Sequence, residues 1–211
     1  GSADVSRAVT LLRKAGIGNI SVDLMYGFPD ETIDEWNNDI TLALALGVEH
    51  ISAYSLMYEE NTPLHKILCE GKIAEIDEEL SAAMYSTLSL AAAGYEHYEI
   101  SNFARHGWRS RHNSSYWTAI PYMGVGAAAH SFDRTSRQWN VADIDKYIYS
   151  IGHGEIPMER EELTSDTRYN DTVMLRLRTC EGINLDSIAR DFGPEYLNGC
   201  LNTARRYIAD A

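Results

Sequence analysis

The stretch Ile20-Ser21-Val22-Asp23-Leu24-Met25-Tyr26-Gly27-Phe28-Pro29 decides the fold. Ile20 to Met25 alternates as a strand does, and Gly27 and Pro29 end it. Upstream, Val5, Ala8, Val9 and Leu12 share one helical face, with Gly16 as a stop signal. Downstream, Thr32-Ile33-Asp34-Glu35 has the form of a capping box, and Ile33, Trp36 and Ile40 give the apolar stripe of a helix stopping at Gly47. A second strand is expected over Ile51–Leu56. Thr62-Pro63 opens a short helix closed by Gly71. Asp77 caps a longer helix, rich in Ala and Leu, that is expected to end at Gly94, and a third strand is expected over Tyr95–Ile100. Such alternation predicts crossover units and a parallel sheet, with ligands at the carboxyl ends of the strands.

Beyond this segment the pattern changes. Asn102 to Asn140 is dense in aromatics, His, Gly and Arg with little periodicity, which predicts a long functional loop or short irregular strands. Asp143 starts a helix through Tyr147 and Ile148. Gly152 to Glu162 reads as a polar linker, with Glu159-Arg160-Glu161-Glu162 as solvated surface. Thr164 or Ser165 caps the next helix, and two more follow around Leu185–Phe192 and Glu195–Ile208.

Composition bounds the partners. The chain has 211 residues, 45% of them hydrophobic, enough for an ordinary buried core. Its net charge of −13 would repel a polyanion, so nucleic acid is an unsuitable partner. No apolar run approaches the ~18 residues that span a bilayer. Cys69, Cys180 and Cys200 are too far apart for a CxxC pair or a disulfide framework, and read as reduced thiols of a cytoplasmic protein. Gly1-Ser2 and the uncapped last helix suggest an excised piece.

Three groups of residues could carry chemistry. Asp23 sits in a mostly apolar strand and needs a partner; ribose hydroxyls would serve, as would an Arg or Lys from elsewhere in the protein. Gly124-Val125-Gly126 is a tight turn that lets a backbone approach closely, followed by three alanines and His130. His112-Asn113-Ser114-Ser115-Tyr116-Trp117, just after Arg109 and Arg111, offers an imidazole, an amide and two large aromatics. That combination suits haem, with His for iron, aromatics against the macrocycle and Arg for propionates; a hydrogen-bonded structural histidine is the competing reading.

Several strings together resemble one family, the radical-SAM oxygen-independent coproporphyrinogen III oxidase-like proteins. Ile20 to Pro29 is similar to their "DLIYGLP" strand and turn. His50–Leu56, Tyr98–Ala104 and Gly124–Ser131 resemble further blocks in the same order, and Leu175–Thr179 with Gly182-Ile183 resembles the carboxy-terminal domain. The His-Asn-x-x-Tyr-Trp motif at His112–Trp117 resembles the haem-chaperone (HemW-like) branch.

The resemblance implies an α/β fold: the C-terminal part of a partial (β/α)6 radical-SAM (TIM-like) barrel, then a small, mostly helical domain for which a winged helix is one form. Residues 1–140 would be the barrel portion with the HNxxYW segment, and residues 141–211 a truncated helical C-terminal domain. It implies that Asp23, Met57 and His130 contact S-adenosylmethionine (SAM), and that His112, Asn113, Tyr116 and Trp117 surround haem, with His112 on the iron. The full-length protein would hold a [4Fe–4S] cluster and SAM, bind haem and pass it to an acceptor protein. The alternative is oxidative decarboxylation of coproporphyrinogen III in porphyrin biosynthesis. The chain departs from the pattern in lacking the CxxxCxxC loop and in carrying Asp30-Glu31 where Gly-Gln is usual, so the piece alone is expected to be catalytically inactive.

Overall fold

The computed structural model describes residues 1–91 and 94–209, and divides into two compact units, Gly1–Ser110 and Arg111–Ala211. The first holds α1 (Ser2–Lys14), β1 (Ser21–Tyr26), α2 (Ile33–Ala45), β2 (His50–Ser55), α3 (Pro63–Cys69), α4 (Glu78–Ala91), β3 (Glu96–Glu99) and β4 (Asn102–Ala104). The expected end of α4 just before Gly94 involves Ala92 and Ala93, which lie outside the described residues.

The local signals act where expected. The Thr32 hydroxyl accepts from the Glu35 N–H at 3.3 Å, and the Glu35 carboxylate accepts from the Thr32 N–H at 2.9 Å. Thr62 caps α3 with Pro63 in its first turn, and Asp77 Oδ1 accepts from the N–H groups of Glu79 and Leu80 ahead of α4. Each satisfies amide donors that a helix start leaves orphaned.

β1 and β2 are parallel, with Ser21 opposite His50, Asp23 opposite Ser52 and Met25 opposite Tyr54. Strand alternation gives the pair two unlike faces. Val22, Leu24, Ile51 and Ala53 pack with Trp36, Ile40, Ala43, Met84 and Leu88 into the core. Trp36 is fully buried and donates its indole N–H to the Met84 carbonyl at 2.8 Å. The other face carries Ser21, Asp23, His50, Ser52 and Tyr54. α1 is tied to β2 by Arg13, whose Nη2 reaches both Glu49 carboxylate oxygens at 2.8 and 2.9 Å. Burial alone would raise the Glu49 pKa, but the Arg13 hydrogen bonds and the Ile20 N–H outweigh it and leave it lowered.

The third strand corrects the reading of an all-parallel sheet. The sheet order is β1-β2-β4-β3, and β4 pairs antiparallel with both β2 and β3. Only Ile100 and Ser101 separate β3 from β4. A link that short makes a hairpin, because a parallel partner needs a crossover of about a dozen residues or more.

The second unit holds α5 (Arg111–Trp117), β5 (His130–Phe132), β6 (Ser136–Asn140), α6 (Ile144–Gly152), β7 (Met158–Glu162), α7 (Ser165–Leu177), α8 (Leu185–Phe192) and α9 (Pro194–Ala209). The His112–Trp117 string, read within a long loop, is a helix. The stretch read as a linker ends in β7, the edge of an antiparallel sheet β5-β6-β7. Every residue of β7 is exposed, so no apolar alternation advertises the strand; its backbone pairing with β6 makes it. That pairing ties residues 136–162 together, which is why the compact units meet at Ser110 and Arg111 whereas the sequence reading divides the chain after residue 140. Within this unit Ile188 is 1% exposed, and Tyr169, Phe192 and Tyr196 cluster, Tyr169 edge to face on Phe192 and the other pairs tilted.

Candidate functional site

In the first unit the face of β1 and β2 turned from the core is polar. Asp23 is exposed there and makes no hydrogen bond or ion pair among the described residues. Met57, 70% exposed, lies just beyond the carboxyl end of β2. Beside Asp23 runs a chain that sequence reasoning missed. His50, 4% exposed, has Nδ1 at 2.9 Å from the Ser21 hydroxyl and Nε2 at 2.7 Å from the Tyr98 hydroxyl, which accepts from the Ser110 N–H at 3.3 Å. With that acceptance made, Tyr98 can donate to Nε2, leaving Nδ1–H to donate to Ser21. Burial lowers the His50 pKa, with the Asp23 charge partly opposing, so the buried ring is held neutral. Glu99, 1% exposed, accepts from the Ser101 N–H and from Asn102 Nδ2 at 2.5 Å, while Asn102 Oδ1 is buried without a partner. The available signal was polar residues within strands, at His50, Ser52, Glu99 and Asn102, all buried.

On the helix side, at the carboxyl ends of β1 and β2, Tyr26, Tyr58, Glu75, Glu78 and Tyr85 line an open cavity of about 400 Å³. Burial raises the Tyr26 pKa, with Tyr85 adding to it.

The second unit contains a larger cavity of about 940 Å³. Ordinary small-molecule pockets span about 300–1,000 Å³, so this one suits a large ligand. Its walls include Tyr116, Trp117, Tyr122, His130, Phe132 and Trp139, together with Arg134, Arg137, Arg168, Arg176 and Arg190. The rings form two groups: Tyr116 to Tyr122 at 4.9 Å and Tyr122 to Phe132 at 6.1 Å, and separately His130 to Trp139 at 6.1 Å between centroids. Arg137 is paired with Asp171, and Arg190 with Asp191. Arg134 and Arg176 make no ion pair among the described residues. Among the described residues the Trp117 indole nitrogen is buried without a partner, which costs about 1–3 kcal/mol unless an acceptor is supplied.

The structure therefore brings Tyr116, Trp117 and His130 to one cavity. His112 and Asn113 are not among its lining residues. His112 is exposed on α5, with Nε2 at 3.2 Å from the Tyr116 hydroxyl and its ring edge-on to that ring at 5.0 Å, so it braces Tyr116 from behind. Six of the seven histidines have a ring nitrogen on a partner: His50, His65, His97, His106, His112 and His153. Among the described residues His130 has none, only the Trp139 ring beside it.

His130 is placed by the turn before it. Tyr122 and Phe132 exchange backbone hydrogen bonds at 2.9 Å, and the Gly124 N–H donates to the Ser131 hydroxyl at 2.9 Å. A Cβ on Gly124 would lie 2.2 Å from the His130 carbonyl oxygen. The close backbone approach expected of this glycine is thus made to the chain's own β5. At the far end of β5, Asp133 accepts from the backbone and hydroxyls of Thr135 and Ser136, which drives its pKa well below the usual carboxylate range and fixes the turn that brings Trp139 opposite His130.

For an iron–sulfur cluster the residues present do not fit. Cys69 belongs to the first unit and Cys180 and Cys200 to the second, and among the described residues no group of three or more His, Cys, Asp or Glu is arranged to hold a metal.

No family model matches the chain. The Heme chaperone HemW of Bacillus subtilis is 34% identical over 210 residues, 98% of this chain and 55% of that protein. The Heme chaperone HemW of Synechocystis is 36% identical over 185 residues, 85% of this chain and 45% of that protein. Among solved structures, the chain resembles the Escherichia coli coproporphyrinogen III oxidase HemN, described as a radical SAM enzyme. The TM-score is 0.67 at 14% identity, covering 92% of this chain and 48% of that one. That likeness shows the fold alone, and the fold is the radical-SAM one, of which the chain covers about half. By the sequence relatives, the chain belongs to the HemW-like radical-SAM family. It spans about half the length of the curated relatives it matches.

Proposed function

We propose that the protein to which these residues belong binds haem in the second unit's cavity and hands it to an acceptor protein in the cytoplasm. The cavity carries the reading. Its aromatic walls suit a flat macrocycle, Arg134 and Arg176 are cations awaiting anions such as propionates, and a carboxylate would also satisfy the Trp117 N–H. The names of the sequence relatives, Heme chaperone HemW, support it. No described helix is long and apolar enough to cross a membrane.

SAM and a [4Fe–4S] cluster belong to this proposal for the full-length protein. The SAM-directed residue of this chain is Asp23: its uncommitted carboxylate on the open polar face suits ribose hydroxyls. Bound to a cluster, SAM supplies radical chemistry; the chain's own contribution is to bind and orient the nucleoside.

The test is titration of the 211-residue chain with haem and with metal-free protoporphyrin IX, following absorbance and tryptophan fluorescence. Saturable binding of both is expected, weakened at least about tenfold by Arg134→Glu with Arg176→Glu, a loss of about 1.4 kcal/mol or more. Binding without saturation, or indifferent to both arginines, would reject the cavity as the site. Anaerobic conversion of coproporphyrinogen III by the full-length protein would favour the oxidase instead.

A further inference from the structure

We propose that His130 is the axial ligand of the haem iron, an assignment that rests on the haem reading of the cavity. A ligand histidine must face the macrocycle's site and offer a ring-nitrogen lone pair. His130 lines the cavity, whereas His112 does not. Neither ring nitrogen of His130 is engaged among the described residues, so either can offer its lone pair to a ligand in the cavity; His112 is set aside by its place outside the lining.

The ring's place is fixed by backbone. Gly124 packs against the His130 main chain too closely for any side chain, β5 pairs with β6 so that His130 faces Trp139, and Ala128 before it sits at φ +59°, a left-handed conformation kept for a non-glycine residue. Strain of that kind persists where surrounding bonds dictate the loop. Here the Ala128 N–H donates to the Val141 carbonyl and the Asn140 side chain donates to the Gly126 carbonyl.

Ligation involves no change of oxidation state. The imidazole nitrogen donates its lone pair to iron, and the water or weaker ligand previously there leaves. A tightly held metal-ligand histidine usually donates its other N–H to a carboxylate or carbonyl. His130 has no such partner among the described residues, so its bond to iron is weakly supported and exchangeable, as a cargo that must leave requires.

The experiment compares the 211-residue chain with its His130→Ala, His130→Met and His112→Ala variants, each titrated with ferric haem and with metal-free protoporphyrin IX. His130→Ala should lose the ligand-shifted Soret band and weaken haem binding at least about tenfold, while porphyrin affinity stays within about twofold, because porphyrin has no iron to ligate. Added imidazole should restore the band in that variant. His130→Met should move the band instead of erasing it, and His112→Ala should keep it. Haem binding by His130→Ala with the parent spectrum, or loss of the band in His112→Ala alone, overturns the assignment while leaving the haem reading intact. Failure of the parent chain to bind either tetrapyrrole overturns both.

Discussion

The polar groups of the two units stand in opposite conditions. On the sheet face of the first, His50 is closed in by Ser21 and Tyr98, and Glu99 by Ser101 and Asn102. In the second, among the described residues, His130 has both nitrogens free, Arg134 and Arg176 lack counter-charges, and the Trp117 N–H lacks an acceptor. A buried polar group that is satisfied internally holds the fold; the buried Trp117 N–H, left unsatisfied at the cavity, is a cost the folded chain carries until an acceptor arrives, whereas His130 and Arg134 are exposed and meet solvent instead. In the first unit the exposed Asp23 carboxylate, assigned to SAM, and the buried Asn102 Oδ1 and Tyr58 hydroxyl also lack a hydrogen-bond partner among the described residues.

The contrast can be broken most forcefully at Gly124. Gly124→Ala forces a methyl group to within 2.2 Å of a carbonyl oxygen, so a loss of about 3 kcal/mol, the upper part of the usual overpacking range, is expected in chemical denaturation. Haem affinity should fall with it, since the clash is with the residue that carries the ligand. Unchanged stability would mean that the β5 backbone yields, and that His130 is less fixed than the contacts imply.

Next comes His50→Ala, which leaves the Ser21 hydroxyl and the Tyr98 hydroxyl without their shared partner. A cost of about 1–3 kcal/mol is expected, against less than about 0.5 kcal/mol for His130→Ala, whose exposed ring makes no hydrogen bond among the described residues and has only the Trp139 ring beside it. Equal costs for the two would erase the contrast.

The smallest effect is on pH dependence. Burial holds the His50 pKa below its ordinary value, so the folded state binds fewer protons than the unfolded. Its contribution to stability is complete above about pH 6.5 and is lost as pH falls through that value toward the folded pKa. Denaturation midpoints across this range should drop more steeply in the parent than in His50→Ala.

Much of the first unit was legible because its signals are short-range. A capping box spans Thr32 to Glu35, and the alternation of β1 lies within six consecutive residues. What stayed hidden involved distant partners. β3 was found as a strand, but its reversal into β4 depended on two turn residues, and β7 has no buried face to betray it. The site was partly legible. Of the cavity's lining, Tyr116 and Trp117 were singled out for haem in the sequence, but His130 was singled out for SAM and His112, outside the lining, for the iron. The grouping of Tyr116, Trp117 and His130 was not legible, and His50 with Tyr98 was missed, because that pair joins residues far apart in sequence.

By itself the sequence determined the helix starts, the two parallel strands, the acidic surface and a family likeness, since each follows from side chains close together along the chain or from order and composition. The tertiary structure alone decided which residues share a wall. The larger cavity draws its lining from Tyr116 to Phe192, and only packing and strand pairing could turn His130 toward that space while leaving His112 outside it.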